Sequence, residues 1–117
     1  MVRHLTLKVD NGGRVAKNLD EFLRKNGVAE CIIPCVIGAS DWLKISAMRD
    51  GVAGKLPLDE VMEISEQLEL TGNGRISQGK AHIHITAARR GCATVGGHFH
   101  DAMAKSHFII VEILAFG

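Results

Sequence analysis

Four of the six histidines of this chain lie between positions 82 and 100, in two His-x-His pairs. The first is His82-Ile83-His84. The second is His98-Phe99-His100, preceded by Gly96-Gly97 and followed by Asp101. Side chains two residues apart on a strand leave the same face, so each pair sets two imidazoles side by side. Imidazole is the commonest protein ligand for zinc and similar ions. Two such pairs on connected strands can place three or four nitrogens around one ion, with Asp101 and nearby carbonyls orienting the rings. Three histidine ligands leave an open position for water or a substrate oxygen. The plain alternative is a set of solvent-facing histidines on a sheet surface, and spacing alone leaves both readings open. Nothing local recruits His4 or His107 to the group.

Two carboxylates fall where apolar residues are expected. Glu66 shares a face with Met62, Ile64, Leu68 and Leu70, and Glu112 lies between Ile110 and Leu114 on its own face. Each is either hydrogen-bonded or paired with an Arg or Lys, or is a general acid or base beside the metal. No Ser-His-Asp or Cys-His order stands out. Gly96-Gly97 is too short for a phosphate loop, and Gly72-Asn73-Gly74 lacks the following helix that a dinucleotide fingerprint requires. The cysteines, Cys31, Cys35 and Cys92, are odd in number and have no Cys-x-x-Cys spacing. Cys31 and Cys35 sit in an apolar run and read as inert small hydrophobes, so no disulfide framework is implied.

The elements that must position these residues follow from hydrophobic period. Residues 3–9 alternate as a half-buried strand, and Asp10-Asn11-Gly12-Gly13 turns the chain. Val15, Leu19, Phe22 and Leu23 give a helix over 15–26, with an Asp20–Arg24 pair on its exposed face and Gly27 closing it. Val28–Ile37 is a buried strand with Pro34 at a bulge or an unpaired edge. Gly38-Ala39-Ser40-Asp41 bends the chain, Trp42–Met48 forms a strand and Asp50–Pro57 a loop. Residues 62–70 alternate as a strand, with Glu and Gln leaving a short helix at its start as the alternative, and Thr71-Gly72-Asn73-Gly74 is read as a turn. Residues 81–88 put Ala81, Ile83, Ile85 and Ala87 inward and His82, His84 and Thr86 outward. Arg89-Arg90-Gly91 turns the chain into a partner strand at Thr94–Phe99, Asp101–Lys105 reads as a helical turn, and His107–Phe116 is the last strand. The fold class is α+β: a mainly antiparallel sheet packed with one principal helix and short helical turns.

At 117 residues the chain is expected to form one domain over 1–117. A formal charge of +1 gives no electrostatic footprint for nucleic acid. No apolar run approaches the roughly 20 residues that span a bilayer, and the alternating N-terminus is unlike a signal peptide. A cytoplasmic protein without membrane contacts is the expectation.

Taken in order, several segments resemble the plant-and-prokaryote conserved (PPC) domain. They are Asn18–Leu23, Val36–Ser40, Glu66–Asn73, His82-Ile83-His84, Gly96-Gly97-His98 and Val111-Glu112-Ile113. The resemblance runs from about Leu5 to Phe116. It implies an α+β fold around an antiparallel sheet, a homotrimer, and a zinc site on His82, His84 and His98, with His100 as an accessory ligand. A small-molecule ligand is a further possible partner. A hydrolase or lyase using a histidine-bound water, with Glu112 or Glu66 moving protons, is the alternative function. Plant members carry AT-hooks that contact DNA, and the family's DNA-binding label follows from them. This chain has no Arg-Gly-Arg-Pro core of that kind. The segment after Gly-Gly-His and the position of Glu69 also depart from the family pattern, which has an aliphatic residue and a serine there.

Overall fold

A computed structural model describes residues 1–48 and 59–117; the Asp50–Pro57 loop expected from sequence lies outside them. In chain order the strands are β1 (Val2–Val9), β2 (Gly13–Arg14), β3 (Glu30–Ser40), β4 (Trp42–Met48), β5 (Asp59–Ile64), β6 (Leu68–Ser77), β7 (Lys80–Ala88), β8 (Thr94–Ala104) and β9 (Ile109–Phe116). Among the described residues, one α-helix, α1 (Val15–Lys25), follows β2. The strands form one antiparallel sheet in the order β1-β9-β3-β6-β7-β8-β4-β5, with β2 paired to β8. Strand dominates, so the molecule is mainly β and the α+β description fits only loosely.

The sheet has one dry face. Ile109, Val111, Ile113 and Ala115 of β9 enter it, as do Ile83, Ile85 and Ala87 of β7 and Leu43 and Ile45 of β4. Strands β3 and β8 approach each other across this core. Helix α1 packs over β8, β1 and β2. It buries Val15, Leu19 and Leu23, one residue every four, which is the stripe a helix needs to seat on a sheet. Gly27 closes the helix at φ +67°, with Val28 N–H donating to the Leu23 carbonyl at 2.9 Å. Arg24 donates to Asp20 at 2.5 Å on the exposed face. The N-terminus has no cap of its own, since Arg14 stands at that position. Asp101 of β8 supplies one from a distance: its Oδ1 accepts the Ala16 N–H at 2.9 Å.

Four expectations are corrected. Residues 71–74 are not a turn but the middle of β6. Gly72 and Gly74 are there for close approach: a Cβ at Gly72 would stand 2.2 Å from the His84 carbonyl oxygen, and one at Gly74 2.0 Å from that of His82. The reversal comes later, at Gln78-Gly79 between the paired residues Ser77 and Lys80, with both φ values positive (52° and 73°) as a two-residue hairpin requires. The bend at 38–41 is shorter than expected, because β3 runs on to Ser40 and Asp41 alone makes the corner. Asp41 Oδ2 accepts from Ser106 N–H at 2.8 Å and Ser106 Oγ at 3.0 Å. Asp101–Lys105 is no helical turn; β8 continues through it to Ala104. Finally, the alternating run 62–70 breaks after Ile64, so Glu66 lies in a connection and not on a strand face. Pro34 does lie at a bulge: the β3 register slips between Ile33 and Val36 against β6 and between Ile32 and Cys35 against β9.

Gly74→Ala is expected to destabilise the fold by about 3 kcal/mol or more, since the obstruction is backbone that cannot rotate away. Gly79→Ala, where nothing lies within 4 Å and only positive φ opposes the change, is expected to cost about 1 kcal/mol. Urea denaturation of both variants tests the pair, and an equal or reversed ranking contradicts the close-approach argument. Asp101→Ala is expected to lose about 1 kcal/mol in the same assay through the missing helix cap.

Candidate metal centre

The register of β6, β7 and β8 decides which side chains share the open face. His84 stands opposite Asn73 on β6 and opposite His98 on β8, and His82 stands opposite Arg75. Beyond β8, His98 pairs with Ser46 of β4. Directly opposed residues on antiparallel strands point to the same side, so Asn73, His84, His98 and Ser46 form one row across the sheet. Ile83 and Ile85, the alternate residues, go to the core at 3% and 2% exposure. Ala81, expected inward with them, is exposed at the end of the strand.

The β4–β8 register slips between Lys44 and Ile45, leaving His100 as the extra residue of a bulge. Its Nε2 lies 2.8 Å from Ser46 Oγ. The bulge keeps the ring beside its neighbours, and the other three imidazoles gather around His98. Ring centroids lie 5.8 Å from His82 to His98, 6.1 Å from His84 to His98 and 5.2 Å from His98 to His100, all edge to face. The closest contact involves His100, which the resemblance ranks as an accessory. What sequence reasoning missed is the bulge. Its traces are Gly97, where a Cβ would stand 2.4 Å from the Ser46 carbonyl oxygen, and the His-Asp pair that follows.

The donor set and its spacing suit a small ion. Zinc–nitrogen distances of about 2.0–2.1 Å put two rings on one ion roughly 5–6 Å apart, centroid to centroid. As they lie, however, no group of three or more His, Cys, Asp or Glu side chains among the described residues could hold a metal ion.

Neither candidate carboxylate joins the histidines. Glu66 accepts from Arg89 Nε at 2.6 Å, tying the β5–β6 connection to the end of β7. Glu112 lies on the open face of β9, not the buried one, because Ile109, Val111, Ile113 and Ala115 take the core side. It accepts from Thr6 Oγ1 and lies 3.3 Å from His4 Nε2. The Thr6 hydroxyl, opposed by desolvation and helped by His4, holds its pKa below the usual carboxylate value. Three ladder steps separate β9 from β7, about 14 Å at the usual strand spacing. Burial pushes the Cys31 thiol up, in keeping with an inert core cysteine. Cys35, in the β3 bulge, is half-buried, and Cys92 is exposed.

Beside the histidine row, on the same face, a groove of about 860 Å³ runs over Thr71, Thr86 and Ile37 toward the turn after β7. Arg89, Arg90 and Cys92 form one end, and His107 and Phe108 line a side.

Solved structures share this architecture. A protein from Salmonella cholerae-suis superposes with a TM-score of 0.81 at 17% identity, covering 99% of this chain and 79% of its own. A metal-containing protein from Archaeoglobus fulgidus gives 0.70 at 26% identity, with 97% and 80% covered. A plant- and prokaryote-conserved (PPC) protein from Pyrococcus horikoshii gives 0.71 at 22% identity, with 98% and 80% covered. Among curated proteins, none matches the chain. The profile of the Plants and Prokaryotes Conserved (PCC) domain matches residues 1–116, and the chain belongs to that family.

Proposed function

We propose that this protein is a cytoplasmic, homotrimeric metal-binding domain, with zinc held by His82, His84 and His98 and His100 in an accessory role. The observation that carries the reading is the gathering of imidazoles around His98 at spacings of 5.2–6.1 Å. The metal-containing relative from Archaeoglobus fulgidus adds support at 26% identity. The reading requires these side chains to move from their present arrangement into a ligand set. Bound there, zinc would supply Lewis acidity at an open face. The residues' own part is positional. Gly72 and Gly74 bring β6 against the histidine strand, Ser46 holds the His100 ring, and Asn73 stands beside His84.

The two alternatives have less support. A hydrolase or lyase needs a proton carrier near the histidines, and Glu66 and Glu112 are both engaged elsewhere. Strong non-specific binding to nucleic acid needs a basic face, whereas 14 Lys and Arg are balanced by 13 Asp and Glu.

Protein prepared without a histidine tag is expected to carry about one zinc per subunit by elemental analysis, and His84→Ala and His98→Ala to lose it. His100→Ala should keep the ion with weaker affinity. Folded protein that neither holds nor takes up zinc overturns the metal assignment. Light scattering behind gel filtration is expected to give three times 12.6 kDa; a monomer or dimer overturns the trimer. No gel shift of duplex DNA is expected at micromolar protein and low salt.

A further inference from the structure

We propose that the groove beside the histidine row is a separate small-molecule site, and that its ligand is a free α-amino acid with an apolar side chain. The groove contains none of the four clustered histidines. Its volume of about 860 Å³ falls in the range of small-molecule sites, about 300–1,000 Å³. Such sites combine apolar walls with a few polar groups that fix orientation, and this one does so. Ile37 and Phe108 form apolar wall while remaining 53% and 47% exposed, a surface that a ligand would cover. Thr71 and Thr86, opposed on β6 and β7, put two hydroxyls on its floor.

The charges select the ligand. Among the described residues, three ionic side chains besides His107 line the groove: Glu69, Arg89 and Arg90. Arg89 is already satisfied by Glu66 at 2.6 Å. Among the described residues, Arg90 and Glu69 take part in no ion pair, although both lie at the same end of the groove. Glu69 stands opposite Ala88 on β7, and Arg90 follows two residues later in the turn. That leaves one cation and one anion unmatched. A simple carboxylate would set its charge against Glu69, and a simple amine would set its charge against Arg90. A zwitterion satisfies both, with its carboxylate on the Arg90 guanidinium and its ammonium on Glu69. The side chain then lies along the Ile37–Phe108 wall.

Calorimetric titration of the intact protein with L-phenylalanine tests the assignment, alongside N-acetyl-L-phenylalanine, which has only the carboxylate, and L-phenylalaninamide, which has only the ammonium. L-phenylalanine is expected to bind, and each derivative to bind about tenfold more weakly or worse. Arg90→Gln and Glu69→Gln should each weaken L-phenylalanine by a similar factor. Glu69→Gln should leave the acetylated acid unharmed, and Arg90→Gln should leave the amide unharmed. Both side chains are exposed, so unchanged thermal melting is the control for folding. Titration in chelator separates this site from the metal centre, since binding should persist without metal. No binding at millimolar L-phenylalanine, binding indifferent to both substitutions, or binding lost with the metal each overturns the proposal.

Discussion

The close approach of β6 to β7 is the constraint on which the rest depends. At Gly72 and Gly74 the opposing carbonyls of His84 and His82 occupy space that a side chain would need. With any larger residue, the two strands would separate or the register would slip. A slip of one residue would turn His82 and His84 into the core and push Ile83 and Ile85 into water. The histidine face is therefore specified by two residues that carry no chemistry. The same device recurs across the row, where Gly97 admits the Ser46 carbonyl and lets β4 close against β8.

That arrangement explains which parts of the fold were legible in the sequence. Strands whose alternation is clean, such as β1 and β7, follow directly from period, as does α1 from the spacing of Val15, Leu19 and Leu23. Thr71-Gly72-Asn73-Gly74 misleads because glycine serves two purposes. It supplies positive φ in turns, and it also permits backbone contact in strands, and composition does not distinguish them. The true hairpin at Gln78-Gly79 was hidden because glutamine is a weak turn signal and the strong one lay six residues earlier. Asp101–Lys105 looked helical for a related reason. Its Asp101 caps a helix 85 residues away in sequence, which is a tertiary fact.

The candidate site was legible in its parts but not in its centre. Two His-x-His pairs predict imidazoles on one face, and the structure places them there. Which histidine is the hub depends on register and on the bulge at His100, and neither is visible in local spacing. Glu112 illustrates the opposite error. It lies among isoleucines and leucines, but a strand with one dry face and one half-open face can carry apolar residues on both. The partners that hold it, Thr6 and His4, come from the far end of the chain.

The open face also bears on assembly. Ile110 and Leu114 of β9 and Ile32 of β3 share it and are only partly covered, and Val61 and Met62 are 55% and 47% exposed on β5, at the end of the sheet. An edge strand with free backbone groups and apolar side chains invites pairing with another chain unless something blocks it. Glu60 and Glu63 offer charge against such pairing, and the Trp42 indole binds Glu63 at 3.1 Å, which leaves less of that charge free. A closed ring of subunits would cover these surfaces without leaving an edge to propagate. The proposed trimer and the proposed metal site would thus draw on different parts of one sheet, the first on its partly apolar end strands and the second on its glycine-spaced centre. Each can be altered by substitution without touching the residues that serve the other.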